Sequence, residues 1–181
     1  MKVNVVILLA VFVLVSCIKP VPRKPVTIKG SSFMKESVQF NKNLYASEER
    51  VFKDFMKKDS LTAYTVSPGG FWYTITNKSA STYKPVFGDT VFYTYSIFDV
   101  HLNQLYSENE IGVKNYVIDQ QEIVEGLRDG LKLMTVGDEV TFLFPSHKVY
   151  GYLGDGKKVD INQPLIYKVQ LNKIIKKNES N

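Results

Sequence analysis

The chain has 181 residues, with 23 Lys and Arg against 18 Asp and Glu, one Cys, two His and 44% apolar residues. That length holds one domain plus an attachment or targeting segment, and a single cysteine excludes an internal disulfide or a thiolate cluster. Two histidines argue against a histidine-rich metal site, 11 Tyr and 11 Phe exclude a disordered chain, and a net charge of +5 gives little support to a nucleic-acid partner.

Met1-Lys2 is a short basic start, followed by an apolar run from Val5 to Val15. A run of that length is too short to span a bilayer core of ~30 Å comfortably and has the length of a signal-peptide core. It ends in Leu14-Val15-Ser16-Cys17, which resembles the lipobox of bacterial lipoproteins. That resemblance implies cleavage before Cys17 and lipidation of its thiol, which would explain an unpaired cysteine in an exported chain. The expected location is the bacterial cell envelope, lipid-anchored on the outer membrane and facing the periplasm. From Ile18 to Ser32 the chain reads as a tether, stiffened by Pro20, Pro22 and Pro25 and loosened by Gly30-Ser31-Ser32. Lys19, Arg23, Lys24 and Lys29 suit either an anionic lipid surface, at about 1 kcal/mol per charge, or plain solvation.

From Phe33 to about Lys58 the chain is helix-prone, with Ser32 as N-cap. Val38, Asn41, Leu44 and Tyr45 form a weak apolar stripe; Val51, Phe52, Phe55 and Met56 form a stronger one, expected to pack on the domain. Ser47-Glu48-Glu49 could restart the helix, so one long helix or two short ones both fit. Asp59-Ser60 ends the segment.

Beyond it the period changes to two. Strands are expected at 71–75, 91–98, 116–118, 140–144 and 165–171, with a helical stretch from Ile123 to about Leu133. One short helix among antiparallel strands is an α+β arrangement. The polar end from Lys176 is expected to fray.

Several motifs in the C-terminal half occur together in one family. Lys84-Pro85-Val86-Phe87-Gly88-Asp89-Thr90-Val91 precedes a strand carrying Tyr95, and Ile123-Val124-Glu125-Gly126-Leu127 opens the helix. Met134-Thr135-Val136-Gly137-Asp138, Tyr150-Gly151 and the strand Leu165 to Leu171 follow in register. From about Thr82 to Ile175 this resembles an FKBP-type peptidyl-prolyl isomerase. The lipobox, Ser32-Phe33-Met34-Lys35-Glu36-Ser37 and Phe142-Leu143-Phe144-Pro145-Ser146-His147 are similar to the gliding-motility-associated FKBP-type lipoproteins.

The resemblance implies a curved antiparallel sheet of five to six strands wrapped around one short helix, preceded by an N-terminal helical segment. It divides the chain into a leader (1–16), a lipidated tether (17–32), a helical segment (33–60), a strand or hairpin (61–81), the isomerase-like domain (82–176) and a polar tail (177–181). The implied catalytic pocket holds Tyr95, Tyr150, Tyr167, Ile123 and Val124, with Leu105, Tyr106, Leu127 and Val159 at substrate-binding positions. Four of these depart from the family. Leu127 replaces the tryptophan of the pocket floor, Leu105-Tyr106 replaces a Phe-Asp pair so that its carboxylate is missing, and Val159-Asp160 replaces Ile-Pro. Another wall phenylalanine falls on Val113 or Lys114.

The implied activity is rotation about an X-Pro bond, whose barrier of ~18–20 kcal/mol comes from amide resonance. No bond is made or broken, so neither metal nor cofactor is called for. The twisted amide loses charge separation, so a dry apolar pocket favours it over the planar ground state, while the Tyr150 hydroxyl would donate to the substrate carbonyl. The expected partners are proline-containing exported polypeptides, with the membrane reached through Cys17. Without the motifs, Tyr95 and Tyr167 read as core aromatics, and Ile123, Val124 and Leu127 as the buried side of an amphipathic helix. His147 reads as a surface histidine. Gly151-Tyr152-Leu153-Gly154-Asp155-Gly156 is only superficially like a phosphate loop, since no helix pattern follows it.

Overall fold

A computed structural model describes residues 30–179. The expected leader, Cys17 and the tether up to residue 29 lie outside the described residues. Among the described residues, 39–179 belong to one compact unit and 30–38 to another.

Helix α1 spans Gly30–Lys58 without interruption. No proline or glycine follows Gly30 within it, so nothing breaks the hydrogen-bond ladder. The helix therefore begins before Ser32, which was expected to cap it, and includes residues expected to loosen the tether. Ser47 does not restart it, because its hydroxyl bonds back to the Leu44 carbonyl at 2.7 Å, as an in-helix serine does. Lys57 and Lys58 in the last turn suit the negative end of the helix dipole.

The strands are β1 (Thr65–Val66), β2 (Trp72–Asn77), β3 (Thr90–Phe98), β4 (Gln104–Tyr106), β5 (Lys114–Val117), β6 (Glu139–Phe144) and β7 (Leu165–Ile175). Two short helices, α2 (Glu108–Ile111) and α3 (Glu125–Leu131), lie between them. The seven strands form one antiparallel sheet in the order β1-β2-β6-β7-β3-β4, with β5 also on β3. This is the expected α+β, FKBP-like architecture with more strands than predicted; β1 and β4 are too short to show a period.

Alternation sorts the side chains of each strand onto two faces. On the inner face, Val91, Tyr93, Ile97, Val140, Phe142, Phe144, Tyr167, Val169 and Leu171 enclose Leu127 and Leu131 of α3. On the outer face Leu143 and Ile166 form a second cluster with Phe52 of α1, joined by Phe55, Met56 and Trp72. Burying Phe52 completely contributes about 1.5–3 kcal/mol. The buried stripe of α1 runs through Glu48 and Phe52, whereas Val51, expected on it, is exposed; a step of 100° per residue turns position 51 away from position 52.

Helix α3 is shorter than the expected Ile123–Leu133, because Val124 keeps an extended conformation (φ −57°, ψ 135°). The described part of the polar end, up to residue 179, also departs from a frayed tail. Lys177–Glu179 forms a turn of 3₁₀-helix, and the Lys177 amide donates to Asp89 Oδ1 at 3.0 Å.

Candidate active site

The site is built on the outer edge of β3. β5 pairs with Thr90 to Tyr93, and β4 with Ile97 and Phe98. Between these pairings Thr94, Tyr95 and Ser96 have no partner on that edge, and α2 packs there instead. Ser107 caps α2, its hydroxyl accepting from the Glu110 amide at 3.2 Å.

A cavity of about 430 Å³ opens at this edge, lined by Tyr95, Ile97, Tyr106, Ile111, Tyr150 and Asp155, together with the charged Glu110, Lys114 and Lys157. Beneath it the aromatic rings form a ladder. Tyr95 stacks on Tyr93 with centroids 5.8 Å apart and on Tyr167 at 5.5 Å. Burial, and then proximity to Tyr150, push the Tyr95 hydroxyl up to about 12, so it is a proton-bearing donor at neutral pH. Tyr150 also stays protonated: burial raises its pKa, and the Tyr167 hydroxyl only partly offsets this. The Tyr167 hydroxyl is buried without a hydrogen bond of ordinary geometry; its polar neighbour is the Tyr150 hydroxyl.

Tyr150 is carried by the loop between β6 and β7. Ser146–Lys148 form a 3₁₀ turn, and the Ser146 carbonyl accepts from the Val149 and Gly151 amides at 3.0 and 2.8 Å. Tyr150 is thus held from both sides by one carbonyl. The loop's far limb is tied down through Asp155. Its Oδ1 accepts from the Lys157, Lys158 and Val159 amides at 2.8, 2.9 and 2.8 Å, and its Oδ2 accepts from the Tyr106 hydroxyl at 2.5 Å. Burial alone would raise the Asp155 pKa, but Tyr106 and those amides hold it at about 2. Lys158 closes the cluster by pairing with Glu110 at 2.7 Å, with its ammonium 4.6 Å from the centre of the Tyr106 ring.

Of the residues singled out from the sequence, Tyr95, Tyr106 and Tyr150 meet at this one cavity. Ile123, Val124 and Leu105 are half-buried against the main core, and Leu127, Tyr167 and Val159 lie within it. None of these six lines the cavity. Leu127 is only 3% exposed, so it offers little surface as a pocket floor. The neighbouring glycines explain why: a Cβ at Gly126 would lie 2.7 Å from the Phe144 ring, and one at Gly130 3.0 Å from Phe142. Their absence lets α3 sit hard on the sheet with Leu127 turned inward.

The carboxylate expected to be missing at Tyr106 is supplied from elsewhere. Asp155 reaches the Tyr106 hydroxyl from 49 positions away. Gly154-Asp155-Gly156 carried the signal for it, since Gly-Asp-Gly is turn chemistry in which the aspartate binds backbone amides ahead of it. Gly154 has φ 64°, and a Cβ there would collide with the Val159 carbonyl. A second residue missed by sequence reasoning is Glu48, buried at 3% exposure. A glutamate there reads as solvent-facing.

Residues 82–172 match the FKBP-type peptidyl-prolyl cis-trans isomerase family, half the length of the chain. The chain belongs to that family. Among solved structures, the N-terminal domain of FKBP42 from Arabidopsis thaliana is similar at 18% identity with a TM-score of 0.57, covering 64% of this chain and 94% of that one. At that identity the likeness concerns the FKBP fold alone. No curated protein matches the chain. The FKBP match begins after α1 and β2, so the helix carrying Glu48 and Phe52 precedes the family's own segment.

Proposed function

We propose that this FKBP domain is a working prolyl isomerase held in a bacterial envelope by a lipid on Cys17, where it assists the folding of proline-containing exported polypeptides. The observation that carries the enzymatic part is the convergence of Tyr95 and Tyr150 on one cavity of about 430 Å³. Tyr150 donates its hydroxyl to the substrate carbonyl, and Tyr95 with Ile97 and Ile111 provides the less polar wall against which the amide twists. Tyr106 forms a side of the cavity and leaves it open. The lipobox-like Leu14-Val15-Ser16-Cys17 supports the anchor, and the likeness to gliding-motility-associated lipoproteins supports clients among surface-motility proteins.

The test is acceleration of a proline-limited refolding reaction by the purified full-length chain, run beside Tyr150→Phe. Wild-type acceleration that falls in the variant supports the reading, and refolding at the uncatalysed rate at high protein concentration rejects it. The anchor is tested separately: Cys17→Ala should move the protein out of the membrane fraction.

A second reading, a binding module that holds a partner without turnover, is favoured by the charged lining and by the inward-turned Leu127. It predicts measurable affinity for a proline-containing peptide together with no acceleration of refolding.

A further inference from the structure

Glu48 lies midway along α1, 98 positions from Ser146. Its carboxylate takes both donors of that residue: Oε2 accepts from the Ser146 amide at 3.0 Å and Oε1 from the Ser146 hydroxyl at 2.5 Å. Ser146 is itself 1% exposed, and its carbonyl holds the amides on either side of Tyr150. One carboxylate, one serine and one carbonyl therefore form a continuous link from the N-terminal helix to the hydroxyl-bearing loop.

Two further contacts brace the same turn. The Tyr45 ring of α1 packs on the His147 ring with centroids 4.4 Å apart. On the other side Lys148 pairs with Glu125, the first residue of α3, at 2.6 Å. A purely structural contact at this place would be expected to be apolar, like Phe52 one turn further on. A buried carboxylate instead costs desolvation, which raises the Glu48 pKa in spite of the Ser146 bonds. What it contributes in return is direction, because two charge-assisted hydrogen bonds fix the position and rotation of Ser146 more tightly than apolar packing does.

We propose that Glu48 is a positioning residue for Tyr150: α1, which lies outside the family's own segment, is a working part of the site and sets the loop geometry through Ser146. The proposal rests on the isomerase reading for its catalytic consequence, though not for the coupling between helix and loop.

The experiment measures refolding catalysis and amide hydrogen exchange on the full chain carrying Glu48→Ala, which leaves the Ser146 amide and hydroxyl without their acceptor. Ser146→Ala, which removes only the hydroxyl, serves as a milder second variant. Glu49→Ala is the control; Glu49 is exposed and pairs with Lys53 at 2.8 Å. The expected result is loss of exchange protection at Val149 and Gly151 with β6 and β7 still protected. Catalysis should fall by up to about two- to tenfold, the effect of losing the Tyr150 hydroxyl bond itself, with little effect from Glu49→Ala. Unchanged protection at Val149 and Gly151 overturns the proposal, as does loss spread evenly over the sheet, which would mark Glu48 as a general stabiliser. Loop protection lost with catalysis intact overturns it too. If the wild type is inactive, the isomerase reading fails on its own, and exchange together with affinity for a proline-containing peptide decides the coupling.

Discussion

The Tyr106 hydroxyl and the Asp155 carboxylate meet at 2.5 Å, one from β4 and the other from the loop between β6 and β7. This bond joins the two sides of the cavity. Tyr106→Phe keeps the ring and removes the donor, so the Asp155 pKa should rise from about 2 toward the ordinary 3.8. A carboxyl held below its unfolded value stabilises the fold at pH above ~4, and that contribution is lost as pH falls through ~2. The variant should therefore lose part of the stability difference between neutral and acid pH. NMR titration of the Asp155 carboxyl checks the shift, and an unmoved value would show that the three amides suffice.

Tyr150→Phe removes one hydrogen bond to the substrate carbonyl and, within the protein, only the poorly aligned contact with the Tyr167 hydroxyl. A single neutral bond contributes about 0.5–1.5 kcal/mol, so kcat/KM should fall by roughly two- to tenfold with an unchanged unfolding midpoint. Kinetics and urea denaturation measured on the same preparation separate the two effects.

Tyr167→Phe should behave in the opposite way. The Tyr167 hydroxyl is buried with only a poorly aligned contact to the Tyr150 hydroxyl, and removing so weakly satisfied a group relieves part of a desolvation cost of about 1–3 kcal/mol. Stability should rise or hold. A clear loss in urea denaturation would mean that the hydroxyl has a partner that matters, with Tyr150 the first to examine.

Gly126→Ala places a Cβ 2.7 Å from the Phe144 ring, and Phe144 is itself completely buried. Helix α3 would have to lift off the sheet, at about 1–3 kcal/mol for overpacking. Leu127→Trp, which would restore the family's floor residue, meets the same crowding and should lower the urea midpoint. A Leu127→Trp protein as stable as wild type would show that α3 can rotate this side chain outward.

Asp138 has no exposed side-chain surface and pairs with Lys78 at 3.0 Å. It also accepts from the Ser79 amide at 2.9 Å and from the Thr135 amide and hydroxyl at 2.8 and 3.0 Å. Burial alone would raise its pKa, yet these donors hold it below the usual carboxylate range. Asp138→Ala leaves them without their acceptor and should cost about 1–3 kcal/mol for each donor left buried and unpaired, readable as a lower midpoint of urea unfolding.

Much of the fold was legible in the sequence because the sheet is regular where it matters most. Val140, Phe142 and Phe144 in β6, and Leu165, Tyr167, Val169 and Leu171 in β7, repeat at the period of a half-buried strand. The longest strands and the core-facing side of α3 therefore follow from local pattern. The site was legible in part: Tyr95 and Tyr150 could be placed from family motifs, and the cavity they share contains Tyr106 as well.

Pattern alone determined which residues of β3, β6 and β7 face inward, because side chains on a strand alternate whatever surrounds them. It also marked Lys84 to Asp89 and the Ile123 to Leu127 opening as a family signature. The tertiary structure decided which polar groups meet. Glu48 and Ser146 are 98 positions apart, and Tyr106 and Asp155 are 49 apart; no periodicity links residues at such distances. Sheet register brings the ends of β4 and β6 to one side, and only then can a glutamate with a surface-like sequence context become the buried acceptor for Ser146. The close seat of α3 on the sheet has the same origin, since the packing of Gly126 and Gly130 against Phe144 and Phe142 exists only once α3 lies on the finished sheet.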